Sequence, residues 1–309
     1  MQRYLLNISY IGTPFRGAQR QVKLTKLIRE DTSTIQGRIE IGLRNLKPAN
    51  DVSVVTSSRT DSGVHALQST MHVDLISEKG RPYPPESLTV VLNKYFIRHE
   101  LPIRVIRTYC VPPDFHSRNA ESRTYMYRLG IIKSENINEN NVLKQIPIEE
   151  IERVSFISTS TFDVEKFSSA CKLFHGLHDF RSFMAKGTKK PDKMTRRVIK
   201  RLEIVEASGH FYNEYSWPTF GITEESDCKF YNIFIESNGF LYKQVRRILA
   251  ALIGIAKGVI TEKDVRCMLE VPSHNSWDSR IKTAPPQGLY LCQVKYPKEI
   301  QASFRSEPW

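Results

Sequence analysis

In the stretch SSRTDSGVHA, Ser57 to Ala66, an arginine, an acid and a histidine crowd a single D-S-G turn. A turn alone would need only the acid: the Asp side chain accepts a bond from a nearby backbone N–H. That leaves Arg59, His65 and the Ser/Thr lead-in without a task. A phosphoryl-accepting aspartate would carry a second Asp two residues on, and residue 63 is Gly. A metal site would draw on further carboxylates nearby. An isolated Asp61 beside an arginine that can hold it ionised fits a nucleophile or a charge stabiliser.

Other stretches offer partners for such chemistry. In RTYMYRL, Tyr125 and Tyr127 share one strand face beside Arg123 and Arg128. They form either a core pair or a platform on which a nucleobase stacks. In FLYKQVRRI, Arg246 and Arg247 enter an otherwise apolar helix, where an arginine snorkels or pairs with a buried acid. The run KGTKKPDKMTRRVIKR sets Lys186, Lys189, Lys190, Lys193, Arg196, Arg197, Lys200 and Arg201 against Asp192 alone. A solvated loop would look like this, but the density of like charge favours a phosphate-contacting one. His175 and His178 would be neighbours on a helix, but Gly176 stops that helix and no third ligand is near, so no metal is expected. Neither G-x-x-x-x-G-K-[ST] nor G-x-G-x-x-G occurs, so no nucleotide cofactor is expected.

Composition bounds the rest. The 309 residues are 40% hydrophobic and 25% charged, ordinary for a soluble protein with a real core. A net charge of +12 favours a polyanionic partner, nucleic acid ahead of a membrane surface. The five cysteines are scattered, without C-x-x-C, which argues against a zinc ribbon or a disulfide framework. No apolar run is long enough for a membrane helix. RYLLNISY follows Met1 almost at once, without a signal peptide or an Arg/Ser-rich leader. A cytoplasmic or mitochondrial protein is expected, not a secreted one.

The elements that must position these residues read as a doubled pattern. Residues 3–10 alternate as a strand. Thr34 caps a helix carrying Ile35, Ile39, Leu43 and Leu46, which Pro48 helps to end. VSVVTS and STMHVDLI are strands flanking the Asp61 turn, PPESLTVVLNKYFI is a helix and IRVIRTYCV a strand. The second part repeats the order. RTYMYRLGII is a strand, Asp163 caps a helix, RRVIKRLEIVEA and KFYNIFIES are strands, Phe240 to Lys257 is a long helix ended by Gly258, Thr261 caps a short extra helix, and GLYLCQVKY closes as a strand. The polar loop KSENINENN and the irregular segment GHFYNEYSWPTFG interrupt it. The fold expected is α+β: two ferredoxin-like (βαββαβ) domains with antiparallel sheets, residues 1–112 and 113–309, and an active-site cleft between them.

SSRTDSGVHA also resembles the R-T-D-x-G-V-H signature of the TruA family of tRNA pseudouridine synthases. YIGTPFRGAQRQ, STIQGRIEIGL, VPPDFHSRNAESRTYMYRL, LFHGLHDFRSF, FLYKQVRRI and APPQGLYL resemble further family blocks in order along nearly the whole chain. The wording is nearest to the eukaryotic pseudouridine synthase-like branch. The resemblance implies an isomerase that converts uridine to pseudouridine in tRNA, in the anticodon stem-loop, as a homodimer and without a cofactor. It makes Asp61 the catalytic aspartate, acting at the ribose C1′ or as base in a glycal route. Tyr125 matches the tyrosine that packs on the target base, and Arg246 the residue that ion-pairs the aspartate. Leu289 and Leu291 fall in the block that walls the uracil pocket. Gln19, Arg20, Arg59, His65 and Arg118 fall in blocks that hold RNA or substrate, and Lys189, Lys190 and Arg196 of the basic run would join them. The chain departs from the pattern at Ala18, where tryptophan is common, at Ser58, where glycine is common, and in residues 22–33, which resemble an insertion. Apart from the resemblance, the residues also suit an RNA-binding or RNA-folding protein without catalysis on the same scaffold, or an Asp-dependent nucleoside hydrolase.

Overall fold

A computed structural model describes residues 1–21, 30–78, 80–133, 146–185, 194–207 and 228–308. Lys186, Lys189, Lys190 and Lys193, the irregular segment 209–221 and nearly all of KSENINENN therefore lie outside the described residues. The chain divides into two compact units, Met1–Arg123 with Tyr290–Trp309, and Thr124–Leu289. Both are mixed α and β, and their strands pair mostly antiparallel.

The first unit begins β1 (Gln2–Tyr10), α1 (Ile35–Arg44), β2 (Val54–Thr56), β3 (His65–Leu75), α2 (Pro85–Arg98), β4 (Ile103–Val111). The alternation in β1 buries Tyr4, Leu6, Ile8 and Tyr10, as its period of two requires. β1 lies between β3 and β4, antiparallel to both. β2 pairs antiparallel with β3 from Val54↔Val73 to Thr56↔Met71. Thr34 caps α1 by accepting from Gly37 N at 3.2 Å, and Ile35, Ile39 and Leu43 are buried. The helix ends at Arg44 and not at Pro48, because Lys47 turns the chain at φ 50°.

The second unit continues with β5 (Ser122–Lys133), β6 (Ser155–Thr159), α3 (Val164–Cys171), β7 (Gly176–Asp179), β8 (Arg196–Ala207), β9 (Cys228–Ser237), α4 (Gln244–Ala256) and α5 (Glu262–Glu270). The chain closes with β10 (Leu289–Lys295) and α6 (Lys298–Ala302). Asp163 and Thr261 cap α3 and α5 as the sequence suggests, Thr261 within a full capping box. Four features differ from expectation. The long helix starts at Gln244, not Phe240, because Lys243 sits left-handed at φ 58°. β6 runs parallel to β5 and carries a polar sequence, SFIST, with no alternation to announce it. β7 pairs antiparallel with β8, so His178 lies on a strand and His175 precedes it; the helical pair of histidines does not exist. α6 is a short helix after Pro297 that the sequence does not announce. Among the described residues, no helix is long and apolar enough to cross a membrane.

Candidate active site

Asp61 sits half-buried in the loop that joins β2 to β3. The loop is locked by backbone. Val64 N donates to Asp61 O at 3.2 Å and closes the D-S-G turn, and Gly63 takes φ 78°, a value that favours glycine. From below, the connection after β1 presses against it. Ala18 N donates to Thr60 O (3.1 Å), Ser62 Oγ donates to Phe15 O (3.1 Å), and the hydroxyls of Tyr10 and Thr60 meet at 2.8 Å. Gly17 is at φ 118°, and a Cβ there would stand 2.9 Å from Thr60 O. Arg123 grips the loop's entry: its Nε donates to Ser58 Oγ (3.2 Å), and Nη2 donates to Ser57 O (3.4 Å) and Arg118 O (2.9 Å). Ser58, where the family pattern favours glycine, thus offers Arg123 an acceptor.

The remaining expected site residues of the first unit divide by exposure. Arg59 and Arg118 are exposed, within reach of a polyanion, and Gln19 is half-buried. His65 is fully buried. Its Nδ1 accepts from Gly12 N at 2.9 Å, which fixes that nitrogen as an acceptor, and its ring lies 4.5 Å from that of Tyr290. Leu291 is buried and registers with Ala66, as Tyr290 does with His65, in the parallel β3–β10 pair. Arg20 donates from Nη1 to Glu40 Oε2 at 2.6 Å. Ala18, where the family pattern favours tryptophan, is fully buried.

In the second unit, Tyr125 is 7% exposed and meets Phe240 edge-on at 5.3 Å. Tyr127 is a core residue whose hydroxyl donates to Pro285 O at 3.1 Å. Arg128, considered above as a base-side cation, instead makes a bidentate pair with the buried Glu150 at 2.7 and 2.8 Å. Arg246 lies in the first turn of α4 and donates from Nε to Ala284 O at 2.6 Å. Arg247 neither snorkels nor pairs with an acid among the described residues. It donates to Ser182 O (3.0 Å) and Met184 O (2.8 Å) and lies over the Trp277 ring at 4.6 Å. Leu289 is buried, and Arg196 is exposed at the start of β8 opposite Asp179.

Sequence reasoning missed a buried polar column that fixes the turn preceding Arg118. His72 Nδ1 accepts from Ser117 N at 3.2 Å, Ser117 Oγ donates to Val55 O at 3.0 Å, and Tyr296 Oη donates to Ser117 O at 2.8 Å. The only signal was polar residues spaced along an apolar strand. Burial, then the positive charge of Arg3, pushes His72 down to about 4. The folded chain keeps it neutral while the unfolded chain protonates near the ordinary 6.5, so the unfolded state binds more protons between those values. Stability therefore falls as pH drops from about 6.5 towards 4, by up to about 3 kcal/mol from this residue. Thermal melts across that window test this: His72→Gln flattens the slope relative to wild type.

A family model described as tRNA pseudouridine synthase matches residues 170–297. The similarity extends over nearly the whole chain in tRNA pseudouridine synthase-like 1 of Homo sapiens, 32% identical over 302 residues, covering 95% of this chain and 90% of that protein. The chain belongs to the TruA family of tRNA pseudouridine synthases. The relative of the same name in Mus musculus is 31% identical, covering 95% of this chain and 94% of its own length. The tRNA pseudouridine synthase A of Streptococcus pneumoniae is also 31% identical, covering 96% and 99%.

Proposed function

We propose that the chain is a stand-alone, cofactor-independent synthase that isomerises uridine to pseudouridine in tRNA, with Asp61 acting at the ribose. The observation that carries this reading is the Asp61 loop: a carboxylate on a backbone-locked turn, within the R-T-D-x-G-V-H wording of a family to which the chain belongs along its length. A fold of two ferredoxin-like halves suits it. In the first unit the neighbour order β4-β1-β3 with β2 on β3 supports that arrangement.

The chemistry balances without a redox partner. The N1–C1′ bond breaks, the base turns, C5 bonds to C1′, the C5 proton leaves to water, and N1 takes up a proton from water in its place. Positive charge grows at C1′ as N1 departs, and a carboxylate stabilises or traps it, as in glycoside cleavage. Asp61 either adds to C1′ or removes a ribose proton on a glycal route. Tyr125 offers an aromatic face for a base drawn out of its stack. Arg246 contributes a cation, and Leu289 and Leu291 apolar walls. The exposed Arg59, Arg118 and Arg196 suit phosphates. The anticodon stem-loop is the proposed target region.

Transcribed tRNA incubated with the protein alone tests the reading, with pseudouridine mapped by carbodiimide-dependent reverse-transcription stops. A new stop in the anticodon stem-loop is expected. Tight, salt-sensitive binding with no stop on any tRNA would make the protein an RNA binder instead, and free uracil would make it a hydrolase.

A further inference from the structure

We propose that Glu40 is a positioning residue for Asp61: its buried carboxylate ties together the two segments between which the Asp61 loop is held. This rests on the reading of Asp61 given above. Glu40 is 2% exposed, and a carboxylate removed from water is costly unless its oxygens are fully engaged. They are. Oε2 accepts from Arg20 Nη1 at 2.6 Å; Oε1 accepts from Gln36 Nε2 at 2.8 Å and from Val54 N at 3.0 Å. The donors come from three places: the connection after β1, the neighbouring turn of α1, and the first residue of β2.

Each tie leads to the same loop. β2 runs directly into Ser57–Val64, so holding Val54 N holds the loop's root. On the other side, Gln36 Oε1 accepts from Arg20 N at 2.9 Å, so Arg20 is fixed by backbone as well as side chain. The residues just before it join the start of α1 to the Asp61 loop. Ile35 N and Gln36 N donate to Gly17 O (3.3 Å) and Ala18 O (2.9 Å), while Ala18 N donates to Thr60 O (3.1 Å), beside Asp61. An apolar residue at position 40 could fill the space but could not tie three donors. In this arrangement Arg20 acts through Glu40 rather than by holding RNA.

Steady-state kinetics on transcribed tRNA, below the melting temperature of each variant, separate these roles. Glu40→Gln keeps an acceptor for Val54 N but removes the negative charge that faces Arg20. Glu40→Gln and Arg20→Ala are each expected to lower kcat by about 10- to 100-fold, with KM changed by less than about twofold. The double variant should be no worse than the worse single one, because the two act as a unit. Hydrogen exchange on the full chain should show faster exchange in residues 57–64 in both variants, with β1 and β3 unchanged. A raised KM with unchanged kcat in Arg20→Ala, or unchanged kcat and unchanged exchange in Glu40→Gln, would overturn the proposal. Exchange needs no turnover, so it decides the positioning role even if wild type makes no pseudouridine, a result that would sink the functional reading instead.

Discussion

Asp61→Asn is expected to abolish pseudouridine formation while leaving the protein folded and able to bind tRNA. Asparagine matches aspartate in size and is an equally good turn former, so it preserves whatever Asp61 does for the D-S-G turn. The turn's closing bond runs from Val64 N to the backbone oxygen of residue 61, which the substitution does not touch. What is lost is the charge, and with it the means to trap or stabilise a developing cation at C1′. A fall in single-turnover rate of about four orders of magnitude or more is expected, by analogy with the removal of other catalytic carboxylates. The melting temperature should stay within a few degrees of wild type. Near wild-type turnover by Asp61→Asn would show that the acid only makes the turn. Asp61→Glu should also fail, because an added methylene displaces the carboxylate on a loop held by Phe15, Ala18 and Arg123.

Gly12→Ala is expected to damage stability and turnover together. A Cβ at Gly12 would lie 1.9 Å from Val64 O and 2.6 Å from its carbonyl carbon. The obstruction is backbone, so the β2–β3 loop itself must shift. That shift strains two bonds at once: Gly12 N to His65 Nδ1 at 2.9 Å, and Val64 N to Asp61 O at 3.2 Å. Overpacking of this kind costs about 1–3 kcal/mol, seen as a lower midpoint in thermal or denaturant unfolding. Displacement of Asp61 by about an ångström should lower kcat by about 100-fold. Gly80→Ala is the control for turnover: its φ of 71° makes alanine cost some stability, but a Cβ there meets nothing within 4 Å, so kcat should be unchanged. A Gly12→Ala protein with wild-type midpoint and kcat would mean that the close packing under the loop is unimportant.

Much of this was legible in the sequence, for physical reasons that can be named. β8 is legible to its residue because RRVIKRLEIVEA runs without Gly or Pro between a lysine-rich stretch of sequence and Ser208-Gly209. The starts of α1, α3 and α5 follow from Thr34, Asp163 and Thr261, whose side chains do accept the backbone N–H groups expected of them. The failures have local causes. Phe240–Lys243 are apolar enough to extend α4, but a left-handed lysine is a backbone event with no signature in residue type. β6 and β7 exist through pairing with β5 and β8, a tertiary cause that a polar pentapeptide and GLHD do not advertise.

The site was legible as a motif and illegible as a machine. Asp61, Arg59 and His65 stand together in the sequence, but nothing there says that His65 faces inward to accept from Gly12 N. Arg123 suits contact with a base by its position, yet it holds Ser57, Ser58 and Arg118. Glu40 went unremarked, although Gln36 and Glu40 stand four apart beside the buried stripe of Ile35, Ile39 and Leu43. A polar pair so placed next to an apolar stripe is the signal that could have found it.

The central claim is that this chain, unaided, moves the uracil glycosidic bond from N1 to C5 through Asp61. Transcribed tRNA carrying tritium at uridine C5 measures that transfer directly, because the C5 hydrogen leaves only when C5 joins C1′. With wild type and no added cofactor, tritium should appear in water in step with pseudouridine and without free uracil, and Asp61→Asn should release none. No release by wild type across a full set of tRNAs, or equal release by Asp61→Asn, would contradict the account.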